Sequence, residues 1–251
     1  MIEATTVDAF LGGRLQIIQP KRGYRAGVDP VLLAASIDAK PGQSVLELGC
    51  GVGTAILCLG RRVPGLTLTG VELQPDYAEL ARRNATQNDL PLRVITADLR
   101  TLPADLRQQR FDHVLMNPPY FDRDAGTPAA DMGRNTALGG GTPLADWLEI
   151  GARRLTPKGY LTLIQRVERL PECLAALQGR LGSLTLRPIA GRAERDPGLF
   201  ILRARQEGRA PFRLLPTLVM HRGAQHDGDK DSYTSQVAQI LRNGTDLPMP
   251  H

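Results

Sequence analysis

The sequence predicts an α/β protein built on a mostly parallel sheet with helices on both faces, and three observations carry that expectation. Apolar, β-rich runs alternate with stretches of helical periodicity from about residue 28 to 206, the pattern of parallel strands joined by crossover helices. A glycine-rich loop, Glu47-Leu48-Gly49-Cys50-Gly51-Val52-Gly53, comes straight off one of those runs and leads into a helix over 54–62. Polar groups close successive runs, as Glu72, Asp98 and Asn117 do, and the carboxyl ends of strands are where open α/β sheets bind their ligands.

Each element has a local reason. Residues 1–26 read as an N-terminal hairpin extension, with Ala9-Phe10-Leu11 and Leu15-Gln16-Ile17-Ile18 flanking a Gly12-Gly13 turn. Residues 27–206 form the core domain, with strands expected at 44–48, 67–71, 92–96, 113–116, 160–164, 184–189 and 199–204, seven in all. A helix is expected from Pro75, since proline at the first helical position loses no hydrogen bond. Residues 207–251 form a C-terminal appendage: a strand over 212–220, a polar loop over 221–231 and an amphipathic helix. In that helix Ser232 is the expected N-cap, Tyr233, Val237, Ile240 and Leu241 share one face, and Gly244 lies just past the end. Trp147 shares a helical stripe with Leu144, Leu148 and Leu155, a core-packing pattern.

The 251 residues carry a net charge of +5, a balance that suits a polyanionic partner and also arises from solvated arginine faces. Arg192, Arg195, Arg205, Arg209, Arg213 and Arg222 are the candidate phosphate contacts, because they cluster where acids balance the charge least. A long loop over 121–142, with Arg123 and Arg134 and ending in Gly139-Gly140-Gly141, has the length of a lid or binding loop. Cys50, Cys58 and Cys173 lack Cys-x-x-Cys spacing, so neither a disulfide framework nor a zinc knuckle is expected. His113, His221, His226 and His251 show no ligand spacing, so no metal is expected, and His113 inside a strand reads as structural. No run of eighteen apolar residues occurs and Met1-Ile2-Glu3 does not open a signal peptide. A soluble, unprocessed, cytoplasmic chain with no membrane partner is the expectation; no feature sets an oligomeric state.

The chemistry is carried by Asn117-Pro118-Pro119-Tyr120, which ends the apolar run Val114-Leu115-Met116 about seventy residues after the glycine loop. An Asn side-chain oxygen and the next main-chain carbonyl can accept both N–H bonds of a planar amino group, whose lone pair is delocalised and needs alignment. Pro118 and Pro119 fix φ and bring no N–H of their own, which stiffens the loop and leaves the Pro118 carbonyl free to accept. Tyr120 offers a ring face for a stacked base. A proline-rich turn with a packed tyrosine is the plainer reading of the same four residues. The glycine loop is Gly-x-Gly-x-Gly with an acid just before it, an awkward pyrophosphate cradle but a good neighbour for a cation. S-adenosyl-L-methionine carries a sulfonium, an ammonium and no phosphate, so Glu47, Gly49, Gly51 and Gly53 fit it better than they fit a dinucleotide. Glu72 can accept both ribose hydroxyls, against an exposed glutamate before a helix. Asp98, with Leu99 beside it, is placed at the adenine, although a helix N-cap explains an isolated aspartate nearly as well.

These motifs resemble a class I S-adenosylmethionine-dependent methyltransferase of the amino-methylating, Asn-Pro-Pro-Tyr group. With Arg25-Ala26-Gly27-Val28-Asp29-Pro30-Val31-Leu32-Leu33-Ala34 ahead of the loop and a basic tail holding Asp231-Ser232-Tyr233-Thr234, the chain is similar to the bacterial tRNA1(Val) adenine-37 N6-methyltransferase family over nearly its whole length. The resemblance implies a Rossmann-like methyltransferase fold and places Gly27 and Asp29 near the methionine end of the cofactor. It also implies an RNA partner, most simply tRNA. Direct methyl transfer to adenine N6 follows, with Asn117 and the Pro118 carbonyl orienting the amine and no dedicated general base. An unstacked adenine favours a single-stranded loop. A glutamine N5-methyltransferase of release factors, another ribosomal-RNA or DNA amino-methyltransferase, a non-catalytic RNA-binding protein of this fold and a dehydrogenase are the alternatives.

Overall fold

The computed structural model describes residues 2, 4–120, 141–223 and 232–250, so most of the expected loops over 121–142 and 221–231, with Arg123, Arg134 and His226, lie outside the described residues, as does His251. Two strands, β1 (Thr5–Phe10) and β2 (Leu15–Pro20), pair antiparallel around a 3-10 turn over Leu11–Gly13, the expected hairpin. The chain then alternates: α1 (Asp29–Ala35), β3 (Ser44–Leu48), α2 (Thr54–Arg62), β4 (Thr67–Glu72), α3 (Pro75–Gln87), β5 (Leu92–Thr96), α4 (Ala104–Gln108), β6 (Phe111–Met116), α5 (Leu144–Arg153) and β7 (Leu155–Arg166). It continues through α6 (Leu170–Leu177), β8 (Gly182–Ala190), β9 (Leu199–Arg205), β10 (Arg213–Leu214), β11 (Leu218–Val219) and α7 (Ser235–Asn243).

β3 to β11 form one sheet in the order β10-β8-β9-β7-β6-β3-β4-β5, with β11 also paired to β8. Among the described strands of this sheet only β9 runs antiparallel to its neighbours. Among the described residues the sheet has nine strands where seven were expected in the core, because the segment over 212–220, anticipated as one strand of the appendage, joins the sheet as two, β10 and β11, which both pair with β8. Pro216, which has no N–H to give a ladder, sits in the break.

Helices cover both faces. One core cluster packs α1, α2 and α3 together with Leu11, Leu15 and Ile17 of the hairpin and Val237 and Ile240 of α7. The other packs α4, α5 and α6, with Trp147, Leu148 and Phe200 buried in it. The two ends of the chain thus join the same core as α1 and α2. In α7 the N-cap is Thr234, whose hydroxyl accepts from Val237 N–H, and not the expected Ser232. Ser232 is instead engaged by the His221 ring 2.9 Å away. Gly244 ends the helix at φ +61, as its position predicted.

The strand order places the site. From β3 the chain moves outward to β4 and β5, then returns to lay β6 on the other side of β3. The connections therefore diverge between β3 and β6, and their carboxyl ends open a crevice there. Leu48 is in register with Val71 and with Met116, so Gly49, Glu72 and Asn117 all emerge one residue beyond that common level.

Candidate active site

The glycine loop leaves β3 with Gly49 at φ +66, Gly51 at φ +55 and Gly53 at φ +85, a left-handed series that side chains resist. At Gly49 a Cβ would lie 2.4 Å from the Trp147 ring, so the residue read as core packing also forms the floor under the loop. At Gly51 a Cβ would meet nothing nearer than Tyr24 Cε1 at 3.9 Å, which leaves the loop backbone open on the crevice side.

Two carboxylates tie this loop to the sheet. Glu72, at the end of β4 and 6% exposed, accepts Gly51 N–H at 2.9 Å on one oxygen and Gln74 N–H at 2.9 Å on the other. Glu47, in β3 and 3% exposed, accepts Ile56 N–H at 3.0 Å and so caps the first turn of α2, whose N-cap Gly53 has no side chain to do it. Burial pushes both acids above the ordinary carboxylate range, and it does the same to Asp29 at the start of α1. None of the three has an ion-pair partner among the described residues. Three desolvated acids around one crevice are a costly arrangement that a bound cation relieves. This donor set fits the sulfonium and ammonium of S-adenosyl-L-methionine, and the open Gly51 backbone fits a ligand laid along the loop.

The tetrapeptide sits across the crevice at the end of β6. Asn117 is half-buried and donates from Nδ2 to the Tyr24 hydroxyl at 3.3 Å. The Tyr120 hydroxyl donates to Asp29 Oδ2 at 2.6 Å, which joins the expected base platform to the expected cofactor end. The two prolines led to the expectation of a free Pro118 carbonyl, and it is not wholly free. Gln165 of β7, fully buried, donates its amide to both the Pro118 and Pro119 carbonyls at 3.4 Å, so Pro118 has one lone pair left to offer.

Asp98 and Leu99 stand apart. Asp98 caps the 3-10 turn over Leu99–Thr101 by accepting Arg100 N–H, and its other oxygen pairs with the Arg100 guanidinium at 2.8 Å. Those bonds hold its carboxyl below the ordinary range. The cap that the sequence allowed is therefore present, and any adenine contact would share Asp98 with Arg100. Leu99 is buried in the second core cluster. Gly27 is exposed, has no left-handed φ and has open space around it, so only its position recommends it.

Tyr24, Tyr77 and Gln165 were missed. Tyr77 of α3 bonds both the N–H and the carbonyl of Tyr24 and so clamps the turn between β2 and α1 over the loop. A tyrosine directly before Arg25-Ala26-Gly27 was a usable signal. Gln165 carried none, because an amide inside an apolar strand looks like any other until its partners are seen. His113 lies elsewhere in the sheet, buried, with Nε2 3.1 Å from Gln43 Oε1 and its ring stacked on Tyr160, and burial lowers its pKa to about 4. Among the described residues no group of three or more His, Cys, Asp or Glu could hold a metal, and no helix is long and apolar enough to cross a membrane.

The candidate phosphate contacts divide between the two edges of the sheet. Arg192, Arg195 and Arg222 follow the carboxyl ends of β8 and β11, on the crevice edge. Arg205 ends antiparallel β9 and Arg209 follows it, and Arg213 pairs with Thr185 early in β8, all toward the opposite edge.

A family model described as a methyltransferase domain matches residues 45–140. A tRNA1(Val) (adenine(37)-N6)-methyltransferase of Porphyromonas gingivalis is 32% identical over 228 residues, 85% of this chain and 88% of that protein. A protein of the same name from Cronobacter sakazakii is 33% identical over 181 residues, 70% of this chain and 71% of its own. Among solved structures, a predicted O-methyltransferase from Agrobacterium tumefaciens superposes with a TM-score of 0.70 at 23% identity, over 88% of this chain and 98% of that one. The T. thermophilus 16S rRNA N2 G1207 methyltransferase superposes with a TM-score of 0.56 at 18% identity, over 81% and 50%. These two likenesses concern the fold, which is that of Rossmann-like methyltransferases. Extended identity over most of both chains, together with the glycine loop and the Asn117-Pro118-Pro119-Tyr120 crevice, means that this chain belongs to the tRNA1(Val) (adenine(37)-N6)-methyltransferase family.

Proposed function

We propose that the chain is an S-adenosyl-L-methionine-dependent enzyme that methylates N6 of an adenine in tRNA, in the cytoplasm. The observation that carries the reading is the juxtaposition at the β3/β6 divergence: buried Glu47 and Glu72 and half-buried Asp29, without cationic partners among the described residues, on one side and Asn117 on the other. S-adenosyl-L-methionine, when bound, supplies a methyl group already activated by positive sulfur. The chain's own work is then placement.

In this reading Glu72 accepts from the ribose, while Glu47 and Asp29 face the cationic end; Gly27, Gly49, Gly51 and Gly53 let backbone approach. Asp98 and Leu99 border the adenine of the cofactor. With Nδ2 turned to Tyr24, Asn117 keeps Oδ1 for one N–H of the substrate amine, and the remaining lone pair of the Pro118 carbonyl takes the other. Tyr120, held through its hydroxyl by Asp29, presents its ring to the unstacked base, and Pro119 stiffens the approach. The amine proton leaves to solvent.

Purified protein with methyl-labelled cofactor and unmodified tRNA tests this. Label recovered as N6-methyladenosine supports it; label transferred equally to a glutamine-bearing peptide, or to neither, rejects it.

A further inference from the structure

We propose that Tyr24 is a positioning residue that sets which way the Asn117 amide faces. This rests on the reading above, in which Asn117 must offer oxygen, not nitrogen, to the acceptor amine. An asparagine amide is nearly symmetrical in shape, so an unguided side chain would populate both faces. One of them sets NH2 against NH2 and is unproductive. The Tyr24 hydroxyl lies 3.3 Å from Asn117 Nδ2 and accepts from it.

A hydroxyl can also donate, so the contact is directional only if the phenol proton points elsewhere. The surroundings supply that bias. Burial, then the negative charges of Asp29 and Glu47, raise the Tyr24 pKa and keep the proton on. The contact with Asn117 Nδ2 needs a lone pair there, and an orientation of the phenol proton toward the acids leaves one. The Tyr24 backbone from which the ring projects is anchored, because the Tyr77 hydroxyl bonds both its N–H (3.0 Å) and its carbonyl (3.3 Å). Tyr24 thus reads the acidic cofactor side of the crevice and passes its polarity to the acceptor side.

Tyr24→Phe removes only the hydroxyl and keeps the ring over Gly51. The proposal predicts a fall in kcat of about tenfold, the factor that 1.36 kcal/mol gives. The dissociation constant for S-adenosylhomocysteine, the KM for tRNA and the melting temperature should stay as in wild type. Introduced into Asn117→Ala, followed by a radiolabel assay, the same substitution should cost nothing further. A Tyr24→Phe protein as fast as wild type overturns the proposal, and so does an equal fall in the Asn117→Ala background, which marks a merely structural role. An inactive wild-type protein overturns this proposal together with the reading it rests on.

Discussion

Glu72→Ala separates the two duties that one carboxylate performs. In the protein alone, Glu72 accepts Gly51 N–H and Gln74 N–H, each at 2.9 Å, from a site 6% exposed. Hydrogen bonds to a charged acceptor contribute about 1.5–3 kcal/mol each, and a simple sum would be about 3–6 kcal/mol. Two effects reduce it. Gly51 and Gln74 are only half-buried, so their freed N–H groups can turn to water, and removing the acid also removes its own burial cost. A stability loss of about 1–3 kcal/mol remains, or roughly 3–10 °C in Tm for a chain of this size. On the cofactor side, loss of the proposed ribose contacts should weaken binding of S-adenosylhomocysteine at least about tenfold. Glu72→Gln is the control: its amide oxygen still accepts one backbone N–H while its NH2 faces the other donor, so both effects should be intermediate. Titration calorimetry and thermal melting read the two quantities separately. An unchanged dissociation constant in Glu72→Ala would remove the residue from the cofactor site.

Three more outcomes are expected. Asp29, Glu47 and Glu72 have folded pKa values raised by burial above 3.8, 4.5 and 4.5, so their contribution to the stability of the free protein is fully present below those values and is lost as pH rises through the folded ones. The sulfonium and ammonium of S-adenosyl-L-methionine favour the ionised acids, so that cofactor should bind more tightly with rising pH in that window and release protons; calorimetry in buffers of different ionisation enthalpy would show neither if the acids do not face the ligand. For RNA, charge reversal at Arg192, Arg195 or Arg222 should lower tRNA affinity and flatten the log–log salt slope by roughly 0.7–0.9 per lost phosphate contact, whereas Arg209 and Arg213 on the far edge should matter less. The reverse ranking in filter-binding titrations would move the RNA path. Gly49→Ala, which drives a Cβ to 2.4 Å from Trp147 at φ +66, should cost about 2–4 kcal/mol, while Gly27→Ala should leave Tm within about 2 °C of wild type; equal melting temperatures would mean that the Trp147 floor yields.

The crevice was legible because its residues obey local rules. Glycines at left-handed φ, an acid ending β4 and the Asn117-Pro118-Pro119-Tyr120 stretch ending β6 are each fixed by what the backbone must do there, and strand alternation placed them at one edge. What stayed hidden depends on partners distant in sequence. Tyr24 acquires its role from Asn117, 93 residues on, and Gln165 from carbonyls 47 and 46 residues back. The arginines looked like one cluster because they are close along the chain, but β9 runs antiparallel and carries half of them to the other edge. The split of the last expected strand around Pro216 had a visible cause. The Ser232 cap did not, since Thr234 two residues on satisfies the same preference.

Nucleoside mass spectrometry of tRNA from a strain lacking this protein tests the central claim most directly, when the strain is complemented in turn by wild type and by Asn117→Ala. The account predicts that one N6-methyladenosine disappears with the protein, returns with wild type and fails to return with Asn117→Ala. An unchanged level in the deletion strain, or full restoration by Asn117→Ala, would contradict it.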